Sequence, residues 1–493
     1  MPELSPRRRM LVLAICCMSL LVVGMDATIV NVGLPALRRE LGASVSSLQW
    51  TIDAYTLVLA SFLMLSGSTA DRVGRRRTFQ VGLAAFGVGS LVCSLAPSVG
   101  WLIAARAVQA LGGSMLNPVA MSIITNTFTD RVERARAIGV WGAVQGLALG
   151  LGPIVGGALV DSAGWRAIFW VNVPIVIVAI VGTALFVPES RAARARRFDP
   201  VGQGLVILLL SSVVYAIIEA PRLGWMSPLI LVLAGVAVAS AIGLLVYEPR
   251  HRDPLLELRF FRSVPFSGAT VTAVIGFCAY GAFLFLNTLY LQDMRGFSAL
   301  QAGLCTLPVA VLIVLLAPIS GRVVGRRGPR MPMVVAGAGV ALAGLAFTWL
   351  TPTTPILALL GIYLLFGIGQ GMINPPITNS AVSGMPRSMA GVAASVASTS
   401  RQTGTTLGVA ISGSIVSSTL AAGGVAFTTA THAVWWMAFG TGVVIIALGL
   451  ITTSGWALGT ARRAAALFDD VDAVAVVPAA RREVAPDEHA RPV

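Results

Sequence analysis

The sequence predicts an all-α membrane protein, and three observations predict it. Of 493 residues, 56% are hydrophobic and 11% charged, where a soluble domain carries about 25% charged residues. The apolar residues fall in about fourteen blocks, each long enough to cross a hydrocarbon core of ~30 Å at 1.5 Å per residue. The short stretches between those blocks hold nearly all the arginines, alternately dense and sparse.

The blocks lie at 10–34, 46–69, 78–97, 101–126, 137–160, 166–187, 201–219, 227–247, 264–291, 299–320, 331–350, 355–379, 389–418 and 431–455. With the amino terminus inside, the inner segments hold 28 arginines and the outer segments five (Arg38, Arg39, Arg166, Arg222, Arg295), while Arg106 and Arg401 fall within spans. Such an excess of basic residues on one side sets both termini in the cytoplasm and the number of spans even. A cleaved signal peptide fits residues 7–30 poorly, because the run is too long and lacks a small-x-small site. The tail from 457 to 493 is rich in Arg and Ala and is expected to be disordered.

Composition excludes several chemistries. All 35 basic residues are arginine, so neither a Walker A lysine nor a lysine Schiff base is available. Three histidines and five cysteines without CxxC spacing (Cys16, Cys17, Cys93, Cys278, Cys305) offer no metal centre or disulfide framework. The net charge of +14 is spread over inter-span clusters, which sets topology rather than binding nucleic acid.

An internal repeat organises the chain. Gly112-Gly-Ser-Met-Leu-Asn117-Pro118 returns as Gly369-Gln-Gly-Met-Ile-Asn374-Pro375, and Arg72-Val-Gly74-Arg75-Arg76 returns as Val323-Val-Gly325-Arg326-Arg327. Both echoes fall at equivalent places in two six-span halves, as in duplicated transporters. Two helices are left over. The organisation is a six-helix bundle at 1–190, two linker helices at 191–262, a second six-helix bundle at 263–456 and the tail.

Charged groups deep in a bilayer are costly and usually functional. Asp26, Asp53 and Arg106 lie at similar depths below the outer surface, so they are expected to share one polar layer. There, burial and a neighbouring guanidinium pull a carboxyl in opposite directions, and access of water or substrate decides whether it holds a proton. Asp26 and Arg106 also fit a structural ion pair between two helices, and Asp53 a merely wetted site. Arg401-Gln402 either lines a cavity or bonds helix carbonyls. Gly139, Ala148, Gly152-Pro153, Gly156 and Gly157 set small residues on one face of the fifth span, suited to a close helix contact. The loop Gly67 to Arg77 carries Asp71, which can hold a helix amino terminus or an arginine. Its expected partners across the inner surface are the helix starting near 388–389 and the acids Asp130 and Glu133.

On these residues the chain resembles the fourteen-helix drug:proton antiporters of the major facilitator superfamily. Gly67, Asp71, Arg72, Gly74, Arg75 and Arg76 match the superfamily loop signature, and Arg106, Gln109 and Gly112 or Gly113 match that of the fourth helix. Gly139, Gly152-Pro153 and Gly156 match the antiporter signature, with Ala148 where glycine is usual. Met25 to Pro35, Trp50 to Tyr55 and Arg401-Gln402-Thr-Gly404 resemble the fourteen-helix branch. The resemblance implies a major facilitator fold of 14 transmembrane helices, arranged 6 + 2 + 6 with pseudo-two-fold related bundles. It also implies export of hydrophobic or cationic drug-like molecules across the cytoplasmic membrane by a monomer in exchange for protons, with no cofactor. Asp26, Arg106 and Asp53 are the expected coupling residues. The expected cavity is lined by Asp26, Asn31, Trp50, Tyr55, Gln109, Asn117, Gln145, Asn374, Arg401 and Gln402. Gly67, Asp71, Arg72, Gly74, Arg75, Arg76, Asp130 and Glu133 form the expected latch, and Gly139, Gly152, Pro153, Gly156 and Gly157 the antiporter helix. Residues 389–418 contain no acid, which argues against dications. A proton-coupled uptake symporter and a non-transporting sensor are the alternatives; an enzyme would need a catalytic cluster that the sequence lacks.

Overall fold

The computed structural model describes residues 5–191, 198–251, 253–383, 389–421 and 427–468, and among these there is helix and no strand. The amino-terminal half comprises α1 (Pro6–Leu41), α2 (Val45–Val73), α3 (Arg75–Ser94), α4 (Val99–Thr127), α5 (Arg131–Ala163) and α6 (Ala167–Phe186). Then come α7 (Pro200–Leu223) and α8 (Pro228–Tyr247). The second half comprises α9 (Val264–Leu289), α10 (Ala299–Arg327), α11 (Arg330–Phe347), α12 (Ile356–Val382), α13 (Ala390–Ala421) and α14 (Phe427–Thr452). A short α15 (Gly455–Ala466) follows.

Twelve of these helices are long and apolar enough to cross a membrane, so the chain is a multi-pass membrane protein. The two others of comparable length, α3 and α13, are diluted by Arg75 to Arg77 and by Arg401 with its serines and threonines. Both nonetheless pack inside the bundles, α3 on α4 and α6, and α13 on α9. Helix starts follow local chemistry: Ser44, Asp130 and Ser263 each accept a backbone N–H of the first turn, and Ser298 with Gln301 forms a reciprocal capping box.

The two halves pack alike. In the first, α1 lies on α5, α2 on α4, α3 on α4 and α3 on α6; in the second, α9 lies on α13, α10 on α12, α11 on α12 and α11 on α14. Two seams join them, α5 against α10 and α2 against α13, with a lesser contact of α1 with α9. Linker helix α7 lies along the α2–α13 seam. Gln203 of α7 donates to the Ser61 carbonyl of α2 at 2.7 Å, and Leu57, Val214, Ile218 and Ala410 form a small core of their own.

Several hydrogen bonds between the halves lie toward the arginine-poor end. Gln49 donates to the Val409 and Ala410 carbonyls at 3.2 and 2.8 Å, and the Thr56 and Thr406 hydroxyls meet at 2.8 Å. Gln292 donates to the Val32 carbonyl at 2.9 Å, and Arg38 pairs with Asp293 at 3.3 Å. Asp161, at the end of α5, accepts from the backbone N–H groups of Ala299 and Leu300 at 3.1 and 2.9 Å. The seams are fastened at that end.

One expectation is corrected here. Residues 457–466, expected to be disordered, form most of α15, because Ala457, Ala461 and Ala464 make a buried stripe at helical spacing. Residues 469–493 lie outside the described residues.

Candidate functional site

Asp26 sits in the middle of the amino-terminal bundle, wholly buried. One carboxylate oxygen pairs with Arg106 Nη1 of α4. The other accepts from Gln109 Nε2 and from Asn172 Nδ2, both at 2.9 Å. Ser90 ties these amides together, at 3.2 and 3.0 Å. Arg106 also donates to the Thr51 carbonyl at 3.2 Å and to Gln109 Oε1 at 2.7 Å, and its guanidinium lies 4.0 Å from the centre of the Tyr55 ring. Small residues make this close convergence achievable: a Cβ on Gly89 would stand 2.5 Å from the Gln109 Cα, and one on Gly112 would meet the Phe86 amide and Gly82 carbonyl of α3. Two helices, α4 and α6, thus deliver three donors to one carboxylate of α1, and a fully hydrogen-bonded ion pair of this kind is what makes a buried charge tolerable.

Asp53 is the opposite case. It too is wholly buried, yet among the described residues no arginine pairs with it, and the Thr56 hydroxyl on its own helix is the donor at hand. Gln49, Asp53 and Thr56 share one face of α2 by helical spacing. The first and last reach α13, so Asp53 lies in the seam between the halves. The expected single polar layer is therefore two environments: Arg106 bonds Asp26 and leaves Asp53 unpaired.

Several expected cavity residues are placed elsewhere, which is a correction. Asp26, Tyr55 and Gln109 are sealed inside the amino-terminal bundle because they complete the Arg106 network. Trp50 turns to the linker, donating to Glu219 Oε1 at 3.0 Å and packing on Tyr215. Asn31 is buried at the seam. It shares a small cavity with Pro153, Asn287, Thr288 and Thr306, and its Oδ1 has no partner. Asn117 and Asn374, the repeat-related pair, are half-buried and each keeps an unpartnered Oδ1. Trp141 Nε1 and Arg401 Nη1 are likewise unpartnered, and Gln145 and Gln402 are half-buried beside them in sequence. Arg401 Nη2 donates to Ser398 Oγ at 2.6 Å.

In the loop after α2, Asp71 holds an arginine as expected, though of its own half: it pairs with Arg75 at 2.8 Å, a one-turn contact. Asp130 is the amino-terminal cap of α5, and Glu133 pairs with Arg9 at 2.5 Å. The proposed partner position 388 lies outside the described residues. The acid that holds the start of α3 is Glu189, accepting from the Arg76 and Arg77 amides at 3.1 and 3.3 Å. Gly74 has φ +121°, and a side chain there would strike the Glu189 carboxylate. Arg76 reaches the Ala184 carbonyl at 2.7 Å, Arg72 is exposed, and a Cβ on Gly67 would stand 3.9 Å from Pro118, an ordinary contact.

The glycines of α5 serve two neighbours. Gly152 and Gly156 admit α1, with the Met25 carbonyl and the Ile29 side chain where a Cβ would stand. Gly157 and Pro153 admit α10 across the seam, against Ala299 and Gly303. Ala148 replaces the expected glycine without loss because Gly24 of α1 lies opposite, where a Cβ would come within 2.8 Å of the Ala148 methyl. Gly139 has open space around it. Sequence reasoning missed Asn172, Ser90, Asp161 and Glu189; each looks like an ordinary helix-end or mid-helix polar residue until its partner is in place.

Two six-helix halves packed alike, with polar groups gathered at their seams, define a multi-pass membrane transporter. The Major Facilitator Superfamily profile matches residues 16–409, and the chain belongs to that family. It is 35% identical over 416 residues to the Multidrug resistance protein Stp of Mycobacterium tuberculosis (strain CDC 1551 / Oshkosh), covering 84% of this chain and 77% of that one. Puromycin resistance protein pur8 of Streptomyces alboniger is 37% identical over 413 residues (83% and 81%). The Tetracenomycin C resistance and export protein of Streptomyces glaucescens is 35% identical over 403 residues (81% and 74%). Among solved structures, a POT family transporter in complex with 5-aminolevulinic acid superposes with a TM-score of 0.66 at 16% identity, covering 91% of this chain and 97% of that one. That likeness concerns the fold.

Proposed function

We propose that this protein is a proton-coupled antiporter that exports hydrophobic drugs or antibiotics, with fourteen crossings and its arginine-rich ends in the cytoplasm. The export direction is supported by the resistance and export relatives and by the α5 glycines fitted to α1 and α10. Proton coupling rests on one observation, the carboxyl of Asp53 buried in the α2–α13 seam with no charged partner among the described residues.

Burying an ionised carboxylate without a partner costs several kcal/mol, whereas its protonated form costs far less. Closing the seam over Asp53 is thus favoured once it has taken up a proton from the outer side. The proton must then leave toward the arginine-rich side while the outer seam stays closed, since only that order moves it inward. Asp26 and Arg106 hold the amino-terminal bundle in register while this happens, and Arg106 fixes α2 through the Thr51 carbonyl only two residues from Asp53. Substrate is taken from the arginine-rich side, where Asn117, Asn374, Trp141 and Arg401 offer free polar groups.

One proton moved inward supplies ~2.3 kcal/mol per 100 mV and about 1.4 kcal/mol per pH unit, which together support a substrate gradient of roughly 500-fold. The test is transport in everted vesicles with an imposed proton gradient. Substrate accumulation abolished by an uncoupler supports export; movement of the same compound in the opposite direction identifies an uptake symporter.

A further inference from the structure

Helix α15 plays no part in the transport cycle described above, yet it is firmly docked. Ala457, Ala461 and Ala464 are buried, the Thr460 hydroxyl accepts from the Val264 amide at the start of α9 at 3.0 Å, and Phe468 packs on Phe260. The Arg259 guanidinium covers the other side of the Phe468 ring at 4.5 Å. What the helix presents outward is a mixed surface. Trp456 is 63% exposed and Leu467 40% exposed, and Arg462 and Arg463 are exposed with no ion pair among the described residues. Trp456, Arg463 and Leu467 are spaced by seven and four residues, so they form one stripe.

Two features identify what this stripe meets. The exposed apolar surface of α14 runs through Leu450 and Ile451 at its end and continues, after one turn, into Trp456. The exposed stripe of α15 thus begins within six residues of the exposed apolar end of the last span. The helix also carries two arginines and no acid, which complements negative charge at the depth where tryptophan and arginine side chains favour the interface.

We propose that α15 is an interfacial helix that binds anionic phospholipid headgroups through Arg462 and Arg463, with Trp456 and Leu467 set into the edge of the hydrocarbon. Its assignment to the cytoplasmic leaflet rests on the orientation proposed above; the lipid contact itself does not. A basic helix clamped to the start of α9 by Thr460 and Phe468 ties the second bundle to the membrane surface. The linker-side end of α9 then has a fixed height against which the halves move.

The test is a thermal-unfolding titration of the purified full-length protein in neutral detergent micelles, with phosphatidylglycerol, phosphatidylcholine or inorganic phosphate added. Micelles have no sidedness, so failure here speaks against α15 and leaves the proposed orientation of the pump untouched. The wild type should be stabilised by phosphatidylglycerol and not by the other two. Removing both charges in Arg462→Gln/Arg463→Gln should raise the phosphatidylglycerol concentration at half-effect roughly tenfold or more. Arg462→Lys/Arg463→Lys keeps the charge and should restore it, which separates lost binding from lost folding. Arg326→Gln/Arg327→Gln, equal in charge and outside α15, should shift the midpoint much less. The proposal is overturned if the α15 and control variants respond alike, if phosphate reproduces the effect, or if a spin label at position 456 in nanodiscs collides with a water-soluble relaxer as freely as an exposed loop does.

Discussion

Asp26 and Asp53 are both fully enclosed carboxyl groups on neighbouring helices, and their surroundings are opposite. Asp26 accepts from a guanidinium and two amides within one bundle; Asp53 has no cationic partner among the described residues, only the Thr56 hydroxyl of its own helix, and lies between bundles. The difference assigns work. A carboxylate whose donors all belong to its own bundle keeps them through a rigid-body rocking motion. A carboxyl without a charged partner, in a seam that opens and closes, changes its charge, because water reaches it in one state and not in the other.

The comparison can be broken most severely at Arg106. Arg106→Ala strands an ionised Asp26 in a dry core, and loss of one member of a buried pair costs about 3–5 kcal/mol. Detergent-solubilised protein should melt markedly lower. Adding Asp26→Asn should recover much of the loss, because the stranded charge goes with it. Recovery without restored export would show that the pair is needed for more than stability.

The α1–α5 contact comes next. A Gly152→Ala Cβ would meet Thr28 Oγ1 and stand 3.0 Å from the Met25 carbonyl, an overpacking that costs about 1–3 kcal/mol. The melting temperature should fall, and Thr28→Ala should partly restore it. At the rim of the other seam, Asp161→Ala removes two hydrogen bonds to a charged acceptor, each worth about 1.5–3 kcal/mol. Spin-label distances between the outer ends of α5 and α10 should show an outer-open population raised tenfold or more. Trp50→Phe should have the smallest effect: it removes one hydrogen bond to Glu219, worth about 1 kcal/mol, and should loosen α7 without abolishing transport.

Much of this architecture was legible in the sequence. Apolar block lengths located the spans, and two short echoes located the duplication that the packing of α1–α6 and α9–α14 repeats. The glycine run of α5 marked a close contact but not its two partners, since spacing on one helix says nothing of what faces it. Depth along a helix brought Asp26, Arg106 and Asp53 to one level; rotation about the helix axis, which depth does not contain, separated them. Trp50 was misread for the same reason, as the linker helix that receives it is far away in sequence. The tail helix escaped because alanine is hydrophobic only weakly and its partners, Phe260 and Val264, precede it by some two hundred residues.

The most direct test is to compare wild type, Asp53→Asn and Asp26→Asn in proteoliposomes, recording proton flux and substrate flux together. Asp53→Asn should insert and fold normally and carry substrate down its gradient with no accompanying proton movement, so that the uphill gradient of roughly 500-fold collapses to unity. Asp53→Asn vesicles that still build the full gradient and still move protons with substrate would contradict the assignment of coupling to the seam.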